Sequence, residues 1–173
     1  MNDFLKLAKE RYSVRKLTEK EIPEEDIASI IEAGNCAPTA VNYQPIKIWA
    51  FCSEQARKNL LSCTKMQFIS PAKVLFLVGA KHEGAWVRPF DSKNFAEIDA
   101  AIAATHMMLQ IHDLGYGSTW IGHFDPEKVK QLFPDTNDYE LIAILPVGGI
   151  ADDCEPSPRH SQRKSESDIV TIY

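Results

Sequence analysis

Arg11, Ser13 and Arg15 stand on alternate residues in the stretch KERYSVRKL, close to the amino terminus. In an extended chain alternate side chains project to one side, so the stretch sets two guanidinium forks around a hydroxyl. Such a fork suits a phosphate, which accepts bidentate, charge-assisted hydrogen bonds. The same residues also fit a solvated charge cluster behind a first helix. A second stretch, CAPTAVNYQPIKIW, stiffens a loop with Pro38 and Pro45 and offers Thr39, Asn42 and Gln44 as neutral donors and acceptors. That is the chemistry that reads the edge of a flat heterocycle, and it is also ordinary turn chemistry. A third, LPVGG followed by PRHSQRK, ends a strand in Gly148 and Gly149, where backbone N–H groups can come close to a ligand, and adds Arg163 and Lys164. A turn before a charged tail has the same composition.

The familiar catalytic sets are missing. The chain has no G-x-S-x-G elbow, no H-E-x-x-H and no P-loop. Its five histidines are separated and read as structural or surface residues, and its patterned acids read as lying on helix surfaces. GYGSTWIG contains G-x-G, but between a helix and a strand. A dinucleotide fingerprint needs the reverse order, because the phosphate sits on the helix N-terminus. Cys36, Cys52, Cys63 and Cys154 show no C-x-x-C or metal-type spacing. They are expected to be reduced thiols, with no metal bound.

Composition sets the scale for these groups. A chain of 173 residues, 45% of them apolar, builds one well-packed domain and is too short for two large ones. A formal charge of −5 provides no global basic field for nucleic acid or an anionic membrane, so the arginines act locally. No apolar run approaches the roughly 20 residues of a spanning helix, and MNDFLKLAKE carries charges where a secretory signal needs apolar residues. A cytoplasmic protein is expected.

The elements that must position the three stretches alternate between helix and strand. PEEDIASIIEAG has proline and acids in a first turn, an isoleucine stripe and a glycine stop, the marks of a short amphipathic helix. IKIWAFC reads as a strand over 46–52, and SEQARKNLLSC as a helix capped by Ser53. AKVLFLVGA is a continuous apolar run, a strand buried on both faces. Over 96–114, Ile98, Ile102, Thr105, Leu109 and His112 recur at helical spacing, and Ala101, Met108 and Ile111 make the neighbouring face apolar too. This helix is expected to be central and largely buried, with Gly115 ending it. GSTWIG reads as a short strand, DPEKVKQLF as a helix with Asp125 as N-cap and Pro126 at its first position, and YELIAILPVGG as a long strand. The tail from about residue 150 to 173 reads as an arm over the surface, ending in a strand-like DIVTIY. The sum is a single α+β or α/β domain over 1–173 with an extended C-terminal arm.

Taken in order, RYSVRKL, APTAVNYQPIKIW, AAIAATHMMLQIHDLGYGSTWIG and ILPVGG…RHSQRK resemble the nitroreductase family of FMN flavoproteins, from about Phe4 to the terminus. The resemblance implies an α+β fold, a mixed sheet flanked by helices, in a homodimer with two flavins at its interface. It implies that Arg11, Tyr12, Ser13 and Arg15 bind the phosphate, ribityl chain and pyrimidine edge of FMN, and that Arg163 also contacts the phosphate. Pro38, Thr39, Ala40, Asn42 and Gln44 fall on the loop bordering the flavin, much of it supplied by the partner subunit. Pro146, Val147, Gly148 and Gly149 fall on the segment over one flavin face, where a backbone N–H points at N5, and Gln67 falls near the pyrimidine. Thr39-Ala40 stands where many members have two serines. Ser161 stands where a basic residue is common, with Arg159 and His160 nearest to compensate. KHEGAWVRPFDSKNF is left as the one lid.

The implied activity is FMN-dependent. NAD(P)H passes a hydride to the flavin, and a nitroaromatic, quinone or similar acceptor then uses the same face in a ping-pong cycle. The flavin carries the chemistry, so no catalytic residue of the protein is called for, and Arg15 is placed to stabilise the charge of the reduced cofactor. Two other readings share the same residues: a non-catalytic FMN-binding or delivery protein, and a phosphate-sensing regulatory domain.

Overall fold

The run VLFLVGA forms β3 (Val74–Ala80), and every one of its residues is buried. A strand without a polar face must be covered on both sides. In the computed structural model, which describes residues 3–173, β3 lies between β2 (Ile46–Phe51) and β4 (Glu140–Val147). Val74, Phe76, Val78 and Ala80 face α2 (Glu24–Asn35) and α4 (Ala96–Asp113), meeting Ile30, Ala100, Met107 and Ile111. Leu75 and Leu77 face the other way, onto Leu60 of α3 (Glu54–Leu61), Val129 of α5 (Pro126–Leu132), Val14 and Ile121. The period of two along one strand thus sorts the molecule into two apolar layers. Ser53 caps α3 by accepting the Ala56 N–H at 3.2 Å, Asp125 caps α5 by accepting the Lys128 N–H at 3.0 Å, and Gly115 turns out of α4 at φ +78°.

Three expectations need correction. The sheet is not mixed, since β2, β3 and β4 pair antiparallel throughout. The crossover through α4 does return a segment parallel to β3, residues 117–121, but β4 sits between them and runs antiparallel to both. GSTWIG is not a strand either: Gly117 and Ile121 each make an isolated bridge, to Gly148 and Ile144. The pair midway between them is Thr119 and Pro146, and proline has no N–H to give, so the ladder is interrupted where its middle rung would fall. The tail, finally, forms a short helix, α6 (Glu166–Ile169), where a strand was expected. Ser165 favours this by hydrogen bonding to Asp168 at 2.7 Å, and among the described residues no strand edge is paired with it.

The long helix is two-sided. Ala96, Ala100, Ala103, Ala104, Met107 and Ile111 are buried, whereas the stripe Ile98, Ile102, Thr105, Leu109 and His112 lies on the opposite side, exposed or half-buried. The small residues of the buried side let α2 come close. A Cβ on Gly34 would stand 2.9 Å from both Ile48 Cδ1 and Met107 Cγ.

After β4 the chain continues into β5 (Gly149–Ile150), which pairs antiparallel with β1 (Leu17–Thr18). The helix α1 (Asp3–Glu10) packs on α4. Phe76 is fully buried at the centre of the sheet, and Phe76→Ala is expected to cost about 3–5 kcal/mol. The measure is the urea unfolding midpoint; a shift worth less than about 1 kcal/mol would contradict this packing.

Candidate functional site

Residues 11–16 run without regular structure between α1 and β1. Val14 is 2% exposed and packs into the core beneath β3, with the Tyr12 ring half-buried beside it. Arg11, Ser13 and Arg15 alternate with these anchors and, together with Tyr12, line one wall of a cavity of about 560 Å³. The opposite wall is C-terminal: Ser157, Arg159, His160 and Arg163. Four guanidinium groups thus line the cavity and, among the described residues, no carboxylate does.

The charges are poised against one another. Arg11 Nη1 is buried without a hydrogen-bond partner. Burial, and then the Arg163 charge, push the Arg11 guanidinium pKa below its ordinary value. A buried donor without an acceptor, beside a like charge, is unfavourable, and an anion relieves both terms. These donors fit a phosphate.

The arm is held in place by short contacts along 151–163. The Ala151 N–H donates to the Lys16 carbonyl at 3.1 Å, and Lys16 Nζ pairs with Asp153 at 2.6 Å on an exposed surface. The Tyr12 hydroxyl donates to the Cys154 carbonyl at 3.2 Å. His160 Nε2 lies 2.9 Å from the Lys9 carbonyl, with its ring edge-on to Tyr12 at 6.1 Å. Arg163 donates to the carbonyls of His160 and Gln162. Ser161 turns away, its hydroxyl on the Pro158 carbonyl at 3.3 Å, so Arg159 and His160 are the groups that reach the cavity. Ser157, whose hydroxyl accepts the Arg159 N–H at 3.3 Å, was not singled out by sequence; a serine before Pro158 is a common turn signal.

The loop Pro38–Gln44 lies elsewhere. Ala40–Asn42 make a single turn, Gln44 N–H donates to Thr39 Oγ1 at 3.1 Å, and the Gln44 amide donates to Asn42 at 3.0 Å. Val41, Asn42 and Gln44 have φ of 55°, 58° and 53°, a left-handed conformation that costs non-glycine residues on the order of 1–3 kcal/mol each. The loop is tied to Asp99 near the start of α4, whose Oδ1 accepts the Ala40 N–H at 3.0 Å. Arg11 is at the other end of the helix, close enough to His112 to lower its pKa. Asp99 and His112 are thirteen residues apart on α4, about 20 Å at the α-helical rise. One chain therefore does not bring the loop and the arginine cavity together.

The remaining residues are not among those that line the cavity. Gln67 donates to the Thr64 carbonyl at 2.9 Å. Pro146, Val147, Gly148 and Gly149 are buried, and the Gly148 N–H donates to the Gly117 carbonyl at 3.3 Å. On the Cβ side of Gly149 stands the chain's own Thr18, whose Oγ1 lies in the space of an added Cβ. Asp99 corrects the expectation that the patterned acids are superficial: it is 2% exposed. Its signal was an acid followed directly by the apolar run AAIAA. The four cysteines are free thiols, Cys63 buried, Cys36 and Cys52 exposed, Cys154 between.

A model of the nitroreductase family matches residues 8–73 and 62–149. The chain is 28% identical over 167 residues to an NADPH-dependent oxidoreductase of Staphylococcus aureus, covering 87% of this chain and 64% of that protein. It thus spans less than two thirds of that relative's length. A solved nitroreductase family protein of Clostridium difficile 630 superposes with a TM-score of 0.88 at 32% identity, over 99% of this chain and 98% of that one. A protein of Exiguobacterium sibiricum 255-15, solved in complex with FMN, shares the fold with a TM-score of 0.86 at 20% identity, over 100% of this chain and 98% of that one.

His112 ends the half-buried side of α4, where burial first and the Arg11 charge second hold its pKa below the ordinary histidine value. The unfolded chain takes up this proton at about pH 6.5 and the folded one only at lower pH. The contribution to stability is therefore complete above the unfolded value and is lost as pH falls through the folded one. Urea unfolding at about pH 7.5 and about pH 5 should show a smaller acid loss in His112→Asn than in the wild type. Equal losses would contradict the assignment.

Proposed function

The chain belongs to the nitroreductase family, and from that premise we propose that it is an FMN-dependent oxidoreductase that draws electrons from NAD(P)H. Its acceptors are small oxidised molecules, nitroaromatics or quinones, and donor and acceptor use one face in turn, in a ping-pong scheme. The observation that carries this reading is the orphaned Arg11 Nη1 in a cavity lined by four arginines and no acid. A phosphomonoester supplies what those groups lack. Bound FMN would provide the hydride chemistry, which accounts for a chain without an acid, base or nucleophile arranged for catalysis.

The chain's own residues bind and orient. Arg11 and Arg163 hold the phosphate by charge-assisted hydrogen bonds, with Arg159 in reach where Ser161 is not. Ser13 offers its hydroxyl between the arginines. Arg15, exposed at the mouth with Nη1 3.3 Å from the Ser13 carbonyl, places a cation toward the pyrimidine edge, where a preorganised charge favours the reduced cofactor.

The working form is a homodimer of this single FMN-binding domain. Two observations support that reading: the second apolar side of α4, and the length of α4 between Arg11 and the Pro38–Gln44 loop. A second copy could bring its loop to the first copy's arginines, with Thr39, Ala40, Asn42 and Gln44 bordering the flavin and the arm over the surface of its neighbour. Gln67 and the Pro146–Gly149 segment would lie along the ring. No helix among the described residues is long and apolar enough to cross a membrane, and we place the enzyme in the cytoplasm.

The purified protein, given FMN, should show a flavin spectrum that NADPH or NADH bleaches and a quinone restores. A protein that stays colourless after FMN addition and gel filtration would contradict the proposal; a yellow protein that neither nicotinamide reduces would be a binding module. Arg11→Ala and Arg163→Ala should each weaken FMN binding by about 1.5–3 kcal/mol, as for hydrogen bonds to a charged group. Unchanged retention in both variants would remove the phosphate from this cavity.

A further inference from the structure

Asp99 is out of keeping with its surroundings. It is 2% exposed on the alanine-lined side of α4, between Ala96 and Ala100. One carboxyl oxygen, Oδ1, accepts the Ala40 N–H at 3.0 Å, while Oδ2 is buried with no partner. Among the described residues this is the one hydrogen bond joining the Pro38–Gln44 loop to α4. Beyond it, Val41, Asn42 and Gln44 are all left-handed, one of them β-branched, and Val41 and Tyr43 point outward at 63% and 57% exposure.

Both features oppose folding. A buried polar atom without a partner lowers stability, and left-handed non-glycine residues persist only where surrounding contacts over-determine them. A loop that had merely to connect α2 to β2 would need neither. The clamp also acts at the right point, because the Ala40 N–H opens the turn that carries Asn42 and the Gln44 bonds to Thr39 and Asn42.

We infer that Asp99 is a positioning residue: through Oδ1 it fixes the strained turn at Ala40–Gln44 in the shape that borders a second copy's flavin and forms part of the acceptor pocket there. The inference rests on the homodimeric flavoenzyme reading above. Asp99 touches neither cofactor nor acceptor. Its effect falls on acceptor binding more than on cofactor retention, because the arginines that grip the phosphate lie at the far end of α4.

The test compares wild type, Asp99→Ala and Asp99→Asn as FMN-loaded protein. Steady-state kinetics use NADPH and 1,4-benzoquinone; hydrogen exchange over 38–45 and thermal unfolding are read alongside. Asparagine keeps an acceptor for the Ala40 N–H, and alanine does not. Asp99→Ala is expected to raise KM for the quinone about tenfold, the scale of one lost hydrogen bond, with kcat within about twofold. Its exchange over 38–45 should be faster, and its unfolding midpoint no lower than that of the wild type by more than about 2 °C. Asp99→Asn should restore KM and exchange to near wild-type values. An unchanged KM in Asp99→Ala, an Asp99→Asn as impaired as the alanine variant, or a loss of activity matched by a large fall in the unfolding midpoint would each overturn the inference. A wild type that binds no FMN would fail the underlying reading instead, and that outcome is seen before any variant is made.

Discussion

The site depends on a two-residue pairing. Leu17 and Thr18 bond antiparallel to Ile150 and Gly149, and this short ladder joins the segment that carries Arg11, Ser13 and Arg15 to the one that leads to Arg159 and Arg163. Without it the two walls of the cavity belong to chain ends separated by most of the sequence. Glycine at 149 suits this pairing, since Thr18 Oγ1 stands where a Cβ would be. Its neighbours extend it: Ala151 bonds to Lys16, Asp153 to Lys16, and the Cys154 carbonyl to Tyr12. What results brings like charges together, an arrangement that a bound anion would stabilise.

The other constraint is the length of α4. One side of this helix closes the core on β3, and its two ends carry the two halves of the proposed flavin site: Asp99 and the strained loop near its start, His112 and Arg11 near its finish. A rigid helix keeps these halves apart in any one chain. Its other side, with Ile98, Ile102 and Leu109 incompletely covered, offers a surface on which a second copy can set the halves against each other. In the proposed dimer a core requirement and a site requirement are met by the same eighteen residues.

Much of this was legible in the sequence. The unbroken apolar run of β3, the caps at Ser53 and Asp125 and the glycine after α4 are local signals with local causes, and each gave its element. The alternation in RYSVR was legible for the same reason: Val14 is apolar and needs the core, so its neighbours turn outward. What was not legible depends on partners far away in the chain. The absence of a strand at GSTWIG follows from Pro146, a residue of another strand. The mixed sheet fails because β4 inserts between β3 and the segment that α4 returns. The packing of Gly149 against Thr18 likewise depends on β1, a strand from the other end of the chain. Asp99 was hidden among alanines because periodicity marks where a residue lies and not whether its polar atoms find partners.

The central claim is that the flavin site is completed by two copies of the chain. Sedimentation equilibrium of the FMN-loaded protein, followed at the visible absorbance of the flavin, tests it most directly. The flavin is expected to travel with a species of twice the 19.5 kDa chain mass. A monomer that carries a full complement of FMN would contradict it.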